Sequence, residues 1–161
     1  MLLWVGLIGL AIFLQSAVFG MLPFPGVAPD LVLIVLMYAA FTKGAGRGAA
    51  VGFAGGLAED FASGGLLGVN ALVKVVLGYL LGTFRKKVEY ESRSFQFIAV
   101  FLVSCIAQGG AFLIMQLSGR LNGLYLFRDV FFPSALLNAV LGPFVFRLLE
   151  GLEKYDRSKF D

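Results

Sequence analysis

Lys74 is the residue of this 161-residue chain whose chemistry most needs a partner. It stands inside an apolar run, Leu66 to Phe84, about two helical turns from its start. A lone ammonium in apolar surroundings costs at least ~2.5 kcal/mol unless it is paired or reaches water. The nearest acids are Glu59 and Asp60, which close the preceding apolar run. Either carboxylate, facing Lys74 across a short hairpin, would satisfy it. Such a group has two uses: an ion pair that fixes the hairpin, or a contact for a ligand or partner. Asn70, Gln108 and Asn138, with Gln15 and Gln116, are further polar side chains within apolar runs, each able to hydrogen-bond between helices.

Other chemistry is poorly supplied. There is no histidine, so the commonest general base and metal ligand are absent. The single cysteine, Cys105, lies in an apolar run; it has no partner for an internal disulfide and reads as a small hydrophobe. An intramembrane aspartyl protease needs two apposed carboxylates at depth, whereas Asp30, Glu59, Asp60 and Asp129 all fall near the ends of apolar runs. No glycine-rich phosphate loop precedes a lysine at the required spacing. The expectation is a protein that is not an enzyme, with no catalytic residue, no metal site and no cofactor.

The elements that must position Lys74 are written in the hydropathy. Hydrophobic residues make up 59% and charged residues 14% of the chain, and the mean hydropathy is +0.89. A water-soluble domain of this size could not bury so much apolar surface. The pattern predicts an all-α integral membrane protein, a single domain over residues 1–161. Its six transmembrane helices are expected near 2–22, 30–41, 48–62, 66–84, 95–117 and 129–149, with a polar tail over 150–161. The first run has no basic residue before it and reads as a retained span. Pro23 and Pro25 end it, and Pro29-Asp30 opens the short second one. Pro143, after Gly142, would kink the sixth. In the tail, Glu150 with Lys154 and Glu153 with Arg157 are spaced for pairing on a helix that continues past the last span.

Orientation follows from the basic residues. With both termini cytoplasmic, Lys43, Arg47, Arg85, Lys86, Lys87, Arg93, Arg147, Lys154, Arg157 and Lys159 lie inside, against Arg120 and Arg128 outside. The net charge of +3 therefore reports topology and contact with membrane lipid, and no nucleic-acid partner is expected.

The third run is built on a period of four. Gly44, Gly48, Gly52, Gly56, Asp60 and Gly64 form one stripe; Gly46, Ala50, Ala54, Ala58 and Ala62 form the next. Gly78 and Gly82 continue a row from Asn70 and Lys74 in the fourth run. Small residues at this spacing let two helix backbones approach closely. They serve either a tight hairpin of the third and fourth helices or the reception of a partner helix.

The middle third carries a resemblance. Pro29-Asp30-Leu31-Val32-Leu33 through Tyr38, then Gly48, Gly52-Phe53, Gly55-Gly56-Leu57 and Asp60, then Leu67-Gly68 and Gly78-Tyr79, resemble the rod shape-determining MreD family. The resemblance implies a fold similar to the S subunits of energy-coupling-factor vitamin transporters. It implies a bacterial inner-membrane scaffold of the elongation complex, associated with the single-span protein MreC. It further implies a shared complex with the filament MreB, a SEDS-family glycosyltransferase and a class B penicillin-binding transpeptidase in side-wall peptidoglycan synthesis. It carries over no catalytic set, only Asp60 and the glycine stripe as packing and assembly positions. The rival reading is a vitamin-uptake S subunit. Against it, the first run lacks the Ala-x-x-x-Ala motif with which such subunits dock; Ser16 and Gly20 are its one small pair at that spacing.

Overall fold

A computed structural model describes residues 2–17, 27–64, 66–119 and 130–158. Within them the chain is helical: α1 Leu2–Ala17, α2 Leu31–Lys43, α3 Ala45–Ser63, α4 Val69–Phe84, α5 Arg93–Leu117 and α6 Phe132–Ser158, with a 3-10 turn at Arg85–Lys87.

Helix α2 is the axis of the bundle. Its sequence has no polar face from Leu31 to Phe41, so it must be surrounded, and every one of those side chains is buried. Asp30 starts it by accepting the Leu33 N–H at 2.7 Å. Gly44 stops it in a conformation with φ +92° that a side chain would strain, and α3 begins at the next residue. At 13 residues, α2 is about 20 Å long, shorter than a ~30 Å hydrocarbon core.

The other helices wrap it. Trp4, Ile8 and Ala11, one face of α1, are buried, while Val5, Leu10 and Phe13 face outward. Helices α5 and α6 pack together, with Phe101 and Phe132 edge-to-face at 5.7 Å between ring centres. Phe146 stacks edge-on against Tyr38 of α2 with ring centres 5.5 Å apart. Gly142 sits against Val100, and the Pro143 carbonyl, inside α6, accepts from Arg93 Nη1 at 2.8 Å.

Segments 93–117 and 132–155 are long and apolar enough to cross a membrane. The outer surface is apolar as well: Phe53, Phe61, Leu72, Ile98, Ile106, Leu113 and Phe144 are all exposed. Apolar patches of this extent mark a surface that meets lipid or protein.

Several boundaries differ from those read in the sequence. Leu66–Gly68 is a turn, so α4 starts at Val69, because glycines with positive φ at 64 and 68 shape the connection. As the spacing in the tail predicts, α6 runs on through Ser158 and takes most of the tail with it. The end of the expected first span (18–22) and the connector 120–129, with Arg120, Arg128 and Asp129, lie outside the described residues.

Candidate functional site: a buried ionic hub

Three helices meet at Lys74. Its place in α4 turns it inward, and only 2% of it is exposed. The ammonium donates to Asp30 Oδ1 at 2.9 Å and lies 2.8 Å from Oδ2, and it also pairs with Glu59 Oε2. Gln15 of α1 extends the cluster by donating to Glu59 Oε1 at 3.2 Å. Its own Oε1 is buried with no partner among the described residues. One lysine thus ties the start of α2 to the middle of α4 and the end of α3, and through Gln15 to α1.

Of the two acids that the sequence offers Lys74, Glu59 takes the role and Asp60 does not. Consecutive helical residues point about 100° apart, so the two cannot face the same neighbour. Asp60, 2% exposed, turns toward the start of α4. Its carboxylate accepts from Gly68 N–H at 2.8 Å, Asn70 N–H at 3.1 Å and Ala71 N–H at 3.2 Å, and from Asn70 Nδ2 at 2.9 Å. Gly68, the residue at the cap position, has no side chain to offer. Asp60 therefore caps α4 from a different helix, a favourable place for a negative charge.

Asp30 is the partner that sequence reasoning missed. It was legible as a helix cap, and it is one, but it also reaches Lys74 across 44 positions. Its own N–H donates to Asn138 Oδ1 at 2.7 Å, and Asn138 Nδ2 donates to Ser104 Oγ at 3.0 Å. Asn138 is fully buried, so the hub is fastened to α5 and α6 too. Gln108 lies beside the hub, half-buried, with no side-chain hydrogen bond among the described residues, and Gln116 is exposed at the end of α5.

The glycines hold α3 and α4 close enough for these bonds. A methyl on Gly56 would lie 2.6 Å from the Ala71 Cα, and one on Gly48 would lie 2.5 Å from the Gly78 carbonyl oxygen. Gly52 faces the Lys74 carbonyl, and Gly82 faces Ala45. None of these positions has room for a side chain. The adjacent stripe is different: Gly46, Ala50, Ala54 and Ala62 are exposed, and Ala58 is half-buried.

A second polar cluster sits at the other end of α2. The Tyr38 hydroxyl donates to Glu153 Oε2 at 2.9 Å, and Lys43 pairs with Glu153 Oε1. These contacts anchor the helical tail to the bundle. A cavity of about 490 Å³ beside them is lined by charged and hydroxyl side chains, among them Glu91, Arg93, Glu150 and Lys154. A second cavity, about 330 Å³, opens beside the hub between α4 and α5. Among the described residues no group of three or more His, Cys, Asp or Glu could hold a metal ion.

A helical bundle with an apolar exterior, and charges drawn inward to tie helix to helix, defines a membrane-associated protein of structural type. More particularly, the chain belongs to the MreD family: the model of the rod shape-determining protein MreD matches residues 1–152. No solved structure matches the chain. Membership assigns it a part in determining rod shape.

Proposed function

We propose that this protein is a non-enzymatic scaffold of the bacterial elongation complex. It crosses the inner membrane six times with both termini in the cytoplasm. It binds MreC and supports the MreB filament, the SEDS-family glycosyltransferase and the class B transpeptidase in side-wall peptidoglycan synthesis. The observation that carries this reading is the family match over residues 1–152.

The geometry supports it. Lys74, Asp30, Glu59 and Asp60 are engaged in joining helices or capping one. A hub of this kind makes a stiff body, which suits a scaffold that presents surfaces to other proteins. The stripe Gly48, Gly52 and Gly56 is filled by α4 and has no room left for a partner. The face that remains for a single-span helix is the exposed stripe Gly46, Ala50 and Ala54, where close approach would add dispersion contacts. The exposed basic residues Lys86 and Lys87 suit anionic lipid headgroups at the inner surface.

Depletion in a rod-shaped cell tests the role. The expected result is rounding, with loss of circumferential peptidoglycan insertion, restored by the wild-type chain. A version with Ala50→Trp and Ala54→Trp should fold, reach the membrane and fail to restore shape. Full rescue by the doubly substituted chain would remove that face from the account. Rod shape persisting through depletion would remove the role itself.

A further inference from the structure

The 330 Å³ cavity beside the hub has apolar walls and a polar floor. Val73, Ala111, Phe112, Met115 and Phe131 form the walls, and the floor is Asp30, Asn70, Lys74 and Gln108. Its volume falls at the lower end of the ~300–1,000 Å³ range of small-molecule sites. At liquid-like spacing it has room for on the order of ten non-hydrogen atoms.

The charge of the floor selects the ligand. Its charged side chains are Asp30 and Lys74, paired with each other; Glu59, which also pairs with Lys74, and Asp60, which caps α4, are not part of its lining. The pair balances in charge, so the member that stays accessible decides what the cavity attracts. The cavity sees the negative member of the pair. The Asp30 side chain keeps 24% of its surface accessible, while Lys74 keeps 2%. The Gln108 amide, with no hydrogen bond of its own among the described residues, supplies a free acceptor on the same floor. Phe112 and Phe131 stand edge-to-face with ring centres 5.8 Å apart, and an aromatic face adds to the attraction for a cation.

We propose that this cavity binds a small organic cation: an ammonium head on the Asp30–Gln108 floor and an apolar body of about one ring between Phe112, Met115 and Phe131. The site is independent of the scaffold role, which rests on other surfaces.

The test uses the full-length protein in lipid nanodiscs and three probes of one shape: phenethylammonium, 2-phenylethanol and 3-phenylpropionate. At about a hundred-fold excess over its Kd, phenethylammonium should raise the unfolding midpoint by roughly 5–10 °C. The neutral and anionic probes should bind at least tenfold more weakly. Asp30→Asn keeps a good helix cap while removing the charge, and should weaken phenethylammonium at least tenfold. Ala111→Phe, which fills the cavity away from the ions, should abolish the shift; Met115→Phe serves if that variant does not fold. Equal shifts from all three probes, a shift that survives the cavity-filling change, or indifference to every probe would each overturn the proposal.

Discussion

Replacing Asp60 should be among the most damaging single changes in this protein, although the residue touches no other charge. Asp60→Ala removes a carboxylate that accepts from three backbone N–H groups and the Asn70 amide. An ordinary N-cap replaced by alanine costs about 0.5–2 kcal/mol, because water takes over the freed donors. Here the carboxylate is 2% exposed, so water has poor access, and each buried donor left unsatisfied costs ~1–3 kcal/mol. Three donors that relax in part give an expected loss of about 3–5 kcal/mol. Asp60→Asn keeps one accepting oxygen in place, and should cost about 1–2 kcal/mol. The assay is reversible unfolding in mixed micelles, followed by the fluorescence of the single tryptophan, Trp4. An Asp60→Ala variant within about 1 kcal/mol of wild type would refute the capping argument. Equal losses for the alanine and asparagine variants would show that charge, not hydrogen-bond geometry, sets the cost.

Three further outcomes follow from the same geometry. Lys74→Met strands two partly buried carboxylates and should cost about 2–4 kcal/mol; a double-mutant cycle with Glu59→Gln should return a coupling of ~1–3 kcal/mol, whereas the cycle with Asp60→Asn should be additive within ~0.5 kcal/mol. Gly52→Leu forces α3 away from the Lys74 carbonyl and should abolish folding, read as loss of the monodisperse peak on gel filtration, while Gly46→Leu should be tolerated because nothing lies within 4 Å of that position. In a Cys105→Ala background, a cysteine at Ser63 should react with a membrane-impermeant maleimide in intact spheroplasts, and one at Lys87 should react only after lysis, if the termini are cytoplasmic.

Much of this was legible in the sequence, and the failures have a common cause. The glycines at intervals of four announced a close helix pair, since the period of a helix face survives in one dimension. Lys74 announced that it needed a counter-charge, because an ammonium amid apolar residues has few alternatives. The sequence could not decide between Glu59 and Asp60, which adjoin in the chain and diverge by about 100° in space. Asp30 was hidden by distance along the chain, although one clue existed. Helix α2 is apolar on all sides, so it lies at the centre and its cap lies inside the protein. Glu153 likewise has partners that its local spacing does not show. Its spacing from Arg157, whose side chain lies outside the described residues, suggested a local pair, and it also holds Lys43 and Tyr38, 110 and 115 positions away. Long-range partners depend on how helices are arranged around α2, which no local period encodes. Of the cavity, only Lys74 and Asn70 stood out in the sequence as groups that could line a polar pocket; its walls come from α4, α5 and the residues before α6 and left no trace.

The proposed scaffold role stands or falls on what this protein holds together. The most direct measurement is to purify it gently from its native membrane and identify its companions by mass spectrometry. A scaffold of the elongation complex should bring down a single-span protein with a large periplasmic part in stoichiometric amount, with cell-wall synthases alongside. Recovery of ATPase subunits and a transmembrane coupling protein would contradict it and place the chain in transport.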